Sequence, residues 1–310
     1  MLPGILTVDA PDILPIIGKV SEKRLREHVR ALEGERHGGE NFPALEEKAR
    51  FIEQTLNSFG FRVKSDPVPF RNRLYWNITA TIEGKDPAAP WLLVGAHYDS
   101  PLGSPGADDN ASGTAVLLEV ARLMSGSPLS KTLQFVAFTL EERQACDTKI
   151  LRGSRAFVHQ ARKADRRYAA ALILECVGYT DRNRHGQIIP RLVTVPVPET
   201  ADFLAVIADR RSRPVMTQFH RAAATFVPEL AIVPYAVPFN GYLIPQSRFS
   251  DHASFWDGGY PALMLTDTAM FRNPHYHTRH DTADTLDFGF MAAVVRAVTA
   301  ALITLDSGAG

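Results

Sequence analysis

The run Trp91–His97, WLLVGAH, carries no polar side chain until it closes on a histidine. A strand wetted on one face alternates apolar and polar residues, so an unbroken apolar run of this length belongs to a strand covered on both faces. The rest of the chain supplies the cover. Residues 21–34 and 43–60 are helical in pattern, the second with Leu45, Ala49, Ile52, Leu56 and Phe59 at spacings of three and four and Gly60 as a C-terminal cap. Strands are expected over 62–68, 76–82, 132–140, 168–177 and 261–266, and helices over 113–124, 154–163, 199–211 and the closing stretch 290–305. Strand and helix in alternation predict an α/β fold with a largely parallel sheet. The expected organisation is a single domain over 1–310. Residues 1–20 form an N-terminal extension, and about 212–250, where periodicity fails, form a lid or insertion beside the site.

Charge removes one class of partner. Thirty-four basic residues balance 34 acidic ones, whereas a nucleic-acid binder needs a basic excess gathered on one face. The arginine-rich stretches 23–30, 162–167 and 210–213 fall in or beside expected helices and read as solvated faces. The longest apolar stretch, 290–305, is interrupted by Arg296 and falls short of the ~20 residues that span a bilayer, so it is expected to be a buried helix and no membrane partner is expected. No basic segment precedes the apolar residues near Met1, and no small-residue cleavage site follows them. A cytoplasmic location is the expectation, or an exported one if the N-terminus was trimmed. Two cysteines, Cys146 and Cys176, are too few for a disulfide framework.

Phosphate-loop, dinucleotide, H-E-x-x-H and G-x-S-x-G signatures are all missing. What remains is a set of histidines and carboxylates placed just after strands, where an open α/β sheet forms its ligand crevice. His97 closes the first apolar run, with Asp99 two residues on and able to fix its tautomer. The acidic turn 106–113, GADDNASG, precedes a helix. Glu141 and Glu142 follow the apolar run TLQFVAFTL, and Glu175 lies inside the otherwise apolar strand YAAALILECV, where an unpaired carboxylate would cost several kcal/mol and so needs a cation, a proton or a strand-end position. The last element is the cluster 275–282, HYHTRHDT, in which composition does not say which imidazole binds. Each has a plain structural alternative: a core histidine, helix capping by Asp or Asn, or a solvated acidic pair. Together, from separate strand ends, they point to a metal site.

In order, GAHYDS, PGADDNASG, FTLEE, LILE, SDHASFWDGGYPALMLTDT and YHTRHDTADTLD resemble the co-catalytic zinc aminopeptidase superfamily, which also contains glutamate carboxypeptidase and glutaminyl cyclase. The resemblance runs from about Leu25 to the C-terminus. It implies a three-layer α/β/α sandwich around a mixed, largely parallel sheet, and two zinc ions per chain. By that likeness His97 and Glu175 hold one zinc, Glu142 and His277 the other, and Asp109 bridges them. It also makes Glu141 the general base, Asp99 the partner of His97, and Tyr276 a donor to the oxyanion. Glu175 stands where the aminopeptidases usually carry Asp, and Arg143, Gln144 and Cys146 are unlike the residues expected beside the pocket.

The implied activity is zinc-dependent hydrolysis of N-terminal residues from peptides with a free N-terminus, through a metal-bridging hydroxide. Three carboxylate ligands and that hydroxide bring the charge of two zinc ions to about zero, which favours ionising water near neutral pH. The alternatives are a glutaminyl-peptide cyclase, a carboxypeptidase-type relative in which Arg143, Arg248, Arg272 or Arg279 would receive a carboxylate, and a peptidase-like binding domain that has lost its metal.

Overall fold

The computed structural model describes residues 10–144, 150–190 and 193–308. Eight strands form one sheet: β1 (Lys64–Phe70), β2 (Arg73–Ile82), β3 (Trp91–His97), β4 (Leu133–Phe138), β5 (Tyr168–Leu174), β6 (Leu204–Ala208), β7 (Ile232–Ala236) and β8 (Ala262–Thr266). Their spatial order is β1-β2-β4-β3-β5-β8-β6-β7. The inner strands β4, β3, β5 and β8 are mutually parallel, so their C-termini share one edge of the sheet. Strands β2 and β6 run antiparallel to β4 and β8. Pro67 and Pro69 interrupt the donor row of β1, which lies at the edge of the sheet where proline is tolerated.

Alternation sorts the strand residues into two cores. Leu92, Val94 and Ala96 of β3 join one buried cluster with Leu172 of β5 and Leu263 of β8. That face is covered by α2 (Glu22–Leu32), α3 (Phe42–Ser58), α4 (Gly113–Met124), α6 (Arg213–Phe226) and α8 (Phe288–Ser307). Leu93, Val136, Phe138 and Ile173 point the other way, into Phe157 and Val158 of α5 (Arg152–Lys163) and Phe255 and Trp256 of α7 (His252–Gly258). The fold is the expected α/β sandwich with a mixed sheet. The apolar helix α8 lies inside it, with Met291, Val294, Val295 and Val298 fully buried.

The sequence is misread between 199 and 250. The expected helix 199–211 is instead strand β6, LAVIA, and the helix follows it as α6. Spacing in DFLAVIA suits either period, and pairing on both edges, with β8 and β7, decides for the strand. Helix α6 has its own start signal, with Pro214 in its first turn and Asp209 Oδ1 accepting from the Ser212 N–H at 2.8 Å. Residues 213–236 therefore belong to the sandwich, and only 238–250, two short 3₁₀ turns, lie beside the site. In the N-terminal extension, α1 (Ala10–Ile17) packs Ile13 and Ile17 against Ala300 of α8.

Candidate metal centre

Three of the four inner parallel strands, β3, β4 and β5, deliver chemistry at their C-termini. His97 is the last residue of β3, and its carbonyl accepts from Thr114 Oγ1 at 2.8 Å, which ties the strand end to the first turn of α4. Glu141 and Glu142 follow β4, and Glu175 follows β5. Leu140, Cys176 and His277 adopt positive φ of 53°, 48° and 58°. Left-handed backbone at a non-glycine residue is costly and concentrates at functional sites.

Asp109 sits in the turn 107–112, whose helical dihedrals break at Asp109 and Asn110. Side chains sew this turn down. Asp281 Oδ1 and Oδ2 accept from the N–H groups of Asp108 and Asp109 at 2.8 and 3.1 Å. Asn110 Nδ2 donates to the Leu174 carbonyl at 2.9 Å, and its Oδ1 accepts from the Cys176 N–H at 3.1 Å. Ser112 Oγ accepts from the Val177 N–H at 2.9 Å. The acidic turn is thus fixed against the residues on both sides of Glu175, and its Asp, Asn and Ser do more than cap α4.

The result is two clusters that share one carboxylate. His97, Asp109 and Glu175 offer donor atoms within 4.8 Å of one another, and so do Asp109, Glu142 and His277. His97 Nε2 lies 3.2 Å from Asp109 Oδ1 and 3.4 Å from Glu175 Oε2. His277 Nε2 lies 2.9 Å from Asp109 Oδ2 and 3.5 Å from Glu142 Oε1. His97 Nε2 and Asp109 Oδ1 are buried with no hydrogen-bond partner. Orphaned buried donors aimed at one point, drawn from imidazole and carboxylate, are the chemistry that zinc takes. Of the imidazoles in 275–280, only His277, itself partly exposed, joins: His275 packs edge-on against Tyr179, and His280 Nε2 accepts from Arg279 Nε at 3.2 Å.

Electrostatics follow from burial. It pushes the Glu141 carboxyl well above its usual range, the nearby His97 works against the shift, and Glu142 and Glu175 add to it. Burial, then Asp109, raises Glu142. For His97 burial opposes the charged form, yet Glu175 and Glu141 outweigh it and the ring is held well above its ordinary value. Asp99 is fully buried, but its Oδ1 lies 3.5 Å from His97 Nδ1, which makes no hydrogen bond. The two Asp99 oxygens instead accept the Glu141 and Glu142 N–H groups at 3.0 and 3.1 Å. Tyr276 is half-buried and stacks on the His277 ring, with centroids 3.9 Å apart.

Sequence reasoning missed several supporting residues. Asp281 belongs to the cluster 275–282, in which the sequence points to the imidazoles alone. Ser250 donates to Glu175 Oε2 at 2.6 Å, and Asp251 is fully buried nearby. Cys146 lies outside the described residues; Cys176 is buried, its Sγ 3.4 Å from Glu175 Oε1. Beside Glu175 and Tyr276 opens an apolar cavity of about 120 Å³. Its floor is two rungs of the sheet, Thr266–Ala205–Val233 and Met264–Ile207–Tyr235, and residues 187–197 contribute Ile188, Val193 and Val195 to its wall.

The sequence model of peptidase family M28 matches residues 77–302. An uncharacterized Escherichia coli protein, YfbL, is 35% identical over 289 residues, 90% of this chain and 86% of its own length. A probable leucine aminopeptidase of Trichophyton verrucosum is 30% identical over 229 residues, 69% of this chain and 53% of that protein, so the match spans about half of that relative. Among solved structures, LapB from Legionella pneumophila superposes with a TM-score of 0.77 at 20% identity, covering 98% of this chain and 77% of that one. The glutaminyl cyclase of Porphyromonas gingivalis gives 0.70 at 19%, covering 92% and 98%. Those two likenesses bear on the fold.

Proposed function

The chain belongs to peptidase family M28 and is a metallopeptidase, and from that premise we propose that it is an aminopeptidase with two zinc ions, removing apolar N-terminal residues from peptides. The observation that carries the reading is the sharing of Asp109 by two ligand clusters. His97, Asp109 and Glu175 would hold one ion, and Asp109, Glu142 and His277 the other. Zinc supplies two things when bound: it lowers the pKa of water until hydroxide is available near neutral pH, and it polarises the scissile carbonyl.

The remaining work falls to side chains. Glu141 takes the proton of the attacking water and delivers it to the leaving amine, and a carboxyl raised by burial suits that exchange. By holding both the Glu141 and Glu142 N–H groups, Asp99 keeps the base and its neighbouring ligand in register. Burial, then Asp109, raises the Tyr276 phenol, so it stays protonated and able to donate to the developing oxyanion. Carboxylates at Glu141 and Glu175 receive the free α-amine, which places the first peptide carbonyl over the centre, and the adjoining cavity takes the first side chain.

A carboxypeptidase reading needs a cation free to meet a carboxylate. Arg248 is bound to the Asn240 carbonyl and Asp257, whereas Arg272, buried against Gln187 and the Phe203 ring, keeps an unpartnered Nη2, and Arg143 and Arg279 are exposed, so the choice falls to the substrate panel. A glutaminyl cyclase reading expects one zinc and a broken acidic turn, whereas 106–113 is whole. The test is zinc content, expected at two ions per chain, with a panel of free, N-acetylated and C-amidated peptides read by mass spectrometry. N-acetylation should abolish cleavage and C-amidation should not. The opposite pattern would sink the aminopeptidase reading.

A further inference from the structure

The loops that carry the clusters are held from below by a segment outside the family match, residues 34–41 between α2 and α3. At its centre Arg36 is fully buried. Its Nε donates to the Tyr98 carbonyl at 2.6 Å, Nη1 to the Pro105 and Gly34 carbonyls at 2.7 and 3.2 Å, and Nη2 to the Gly106 carbonyl at 2.8 Å. The Arg36 N–H adds a bond to Ser100 Oγ at 3.0 Å. Three of the four carbonyls flank proposed ligands: Tyr98 lies between His97 and Asp99, and Pro105 and Gly106 lead into the turn of Asp109.

The same segment grips the other side of the centre. His37 Nε2 lies 3.1 Å from the Arg143 carbonyl, and the Gly39 N–H donates to Gln144 Oε1 at 2.8 Å. Gln144 Nε2 in turn donates to the Glu142 carbonyl at 2.9 Å. The approach is close enough that a Cβ at Gly38 would collide with the Leu140 side chain.

Arg36 meets only neutral acceptors, and a buried ion without a counter-ion is costly. Burial works against its charge, and the groups that restore it act through space: Asp99, Asp109, Asp281 and Glu142. Three of these touch the proposed centre and the fourth clamps the Asp109 turn. A guanidinium with its forked donors spent on backbone holds geometry, while its charge remains available to the carboxylates behind which it sits.

We propose that residues 34–41 are a positioning strap for the metal centre, with Arg36 as its main anchor, fixing the backbone that presents His97, Asp109 and Glu142 and offsetting part of their charge. This rests on the dizinc reading. The experiment measures zinc affinity by chelator competition, with thermal unfolding of the zinc-free proteins, for the wild type, Arg36→Lys and Arg36→Gln. Lysine keeps the charge and loses the fork; glutamine loses both. Both should bind zinc about 10–100-fold more weakly, the usual scale for residues that orient ligands, and glutamine no more weakly than lysine, since it also removes a cation that competes with zinc for the same carboxylates. At saturating zinc, kcat should fall while KM holds.

Folded variants with wild-type zinc affinity and wild-type kcat would overturn the strap even if they melt earlier, because a purely structural role predicts that pattern. If neither variant folds, Gln144→Ala decides, since it parts Gly39 from Glu142 without stranding a charge: weaker zinc binding supports the strap and unchanged binding overturns it. A wild type that takes up no zinc would overturn the site reading itself.

Discussion

Filling the cavity beside Glu175 should change which peptides are cut without touching the metal centre. Its volume, about 120 Å³, is several times what a single water needs, room for the branched four-carbon side chain of leucine. Leucine buries three more carbons than alanine, and at ~0.8 kcal/mol per carbon this comes to about 2.4 kcal/mol, or a kcat/KM preference of about 60-fold. Ala205 occupies the middle of the rung nearer Glu175, between Thr266 and Val233. Ala205→Phe would put a ring into the space that a substrate side chain needs. The expected result is a Leu-to-Ala preference of a few-fold at most, with zinc content unchanged. Overpacking costs about 1–3 kcal/mol where room is short, so a melting curve accompanies the assay. A folded Ala205→Phe enzyme that keeps the preference, or a wild type that never shows one, would refute the assignment of the cavity.

Further outcomes follow from the site and its surroundings. Asp109→Ala should release both metals, because Asp109 alone belongs to both clusters, whereas His97→Ala should weaken mainly one; two tightly bound ions in Asp109→Ala would refute the bridge. Glu141→Gln should keep zinc and lower kcat roughly 10²–10⁴-fold, while Glu142→Gln should lower occupancy, and reversed phenotypes would exchange the two roles. Acid stability depends in part on His252, whose pKa burial lowers from 6.5 to about 3. The unfolded chain binds a proton below pH 6.5 that the folded state refuses until about 3, so stability present above 6.5 is lost as pH falls. At pH 5 the loss is about 2 kcal/mol, and urea titrations at pH 7 and 5 should show it in the wild type and not in His252→Gln.

Three of the ligands, His97, Glu142 and Glu175, were legible because each stands at or near the end of an apolar run, whereas Asp109 and His277 were placed by the likeness of their motifs. His97 and Glu175 terminate strands buried on both faces, where a polar side chain calls for a reason. Their supports were not legible. Asp281 holds the N–H groups of Asp108 and Asp109 from more than 170 residues away, and nothing local marks an aspartate as a clamp for distant backbone. Arg36 reads as one more charge near a helix until its acceptors are seen. The sequence also suggested that Asp99 serves His97; position along an extended chain fixed its side and left open that two backbone N–H groups would compete for the carboxylate. Between 199 and 250 the failure was one of period: five residues of β6 are too few to separate alternation from a helical repeat, and the partners that settle it are remote in sequence.

The rungs beneath the cavity also bear on how substrate preference could diverge among relatives. Surface loops drift freely, and a pocket lined by them can be resized one residue at a time. Here Ala205, Ile207, Val233 and Met264 line the cavity and also pair across β6, β7 and β8. A larger side chain at one position displaces a paired neighbour, so lasting changes should come as compensating pairs along a rung, Ala205 with Val233 or Ile207 with Met264. Relatives with altered preference should carry correlated substitutions there, and a library built to redirect this enzyme would do better to vary rungs than single sites.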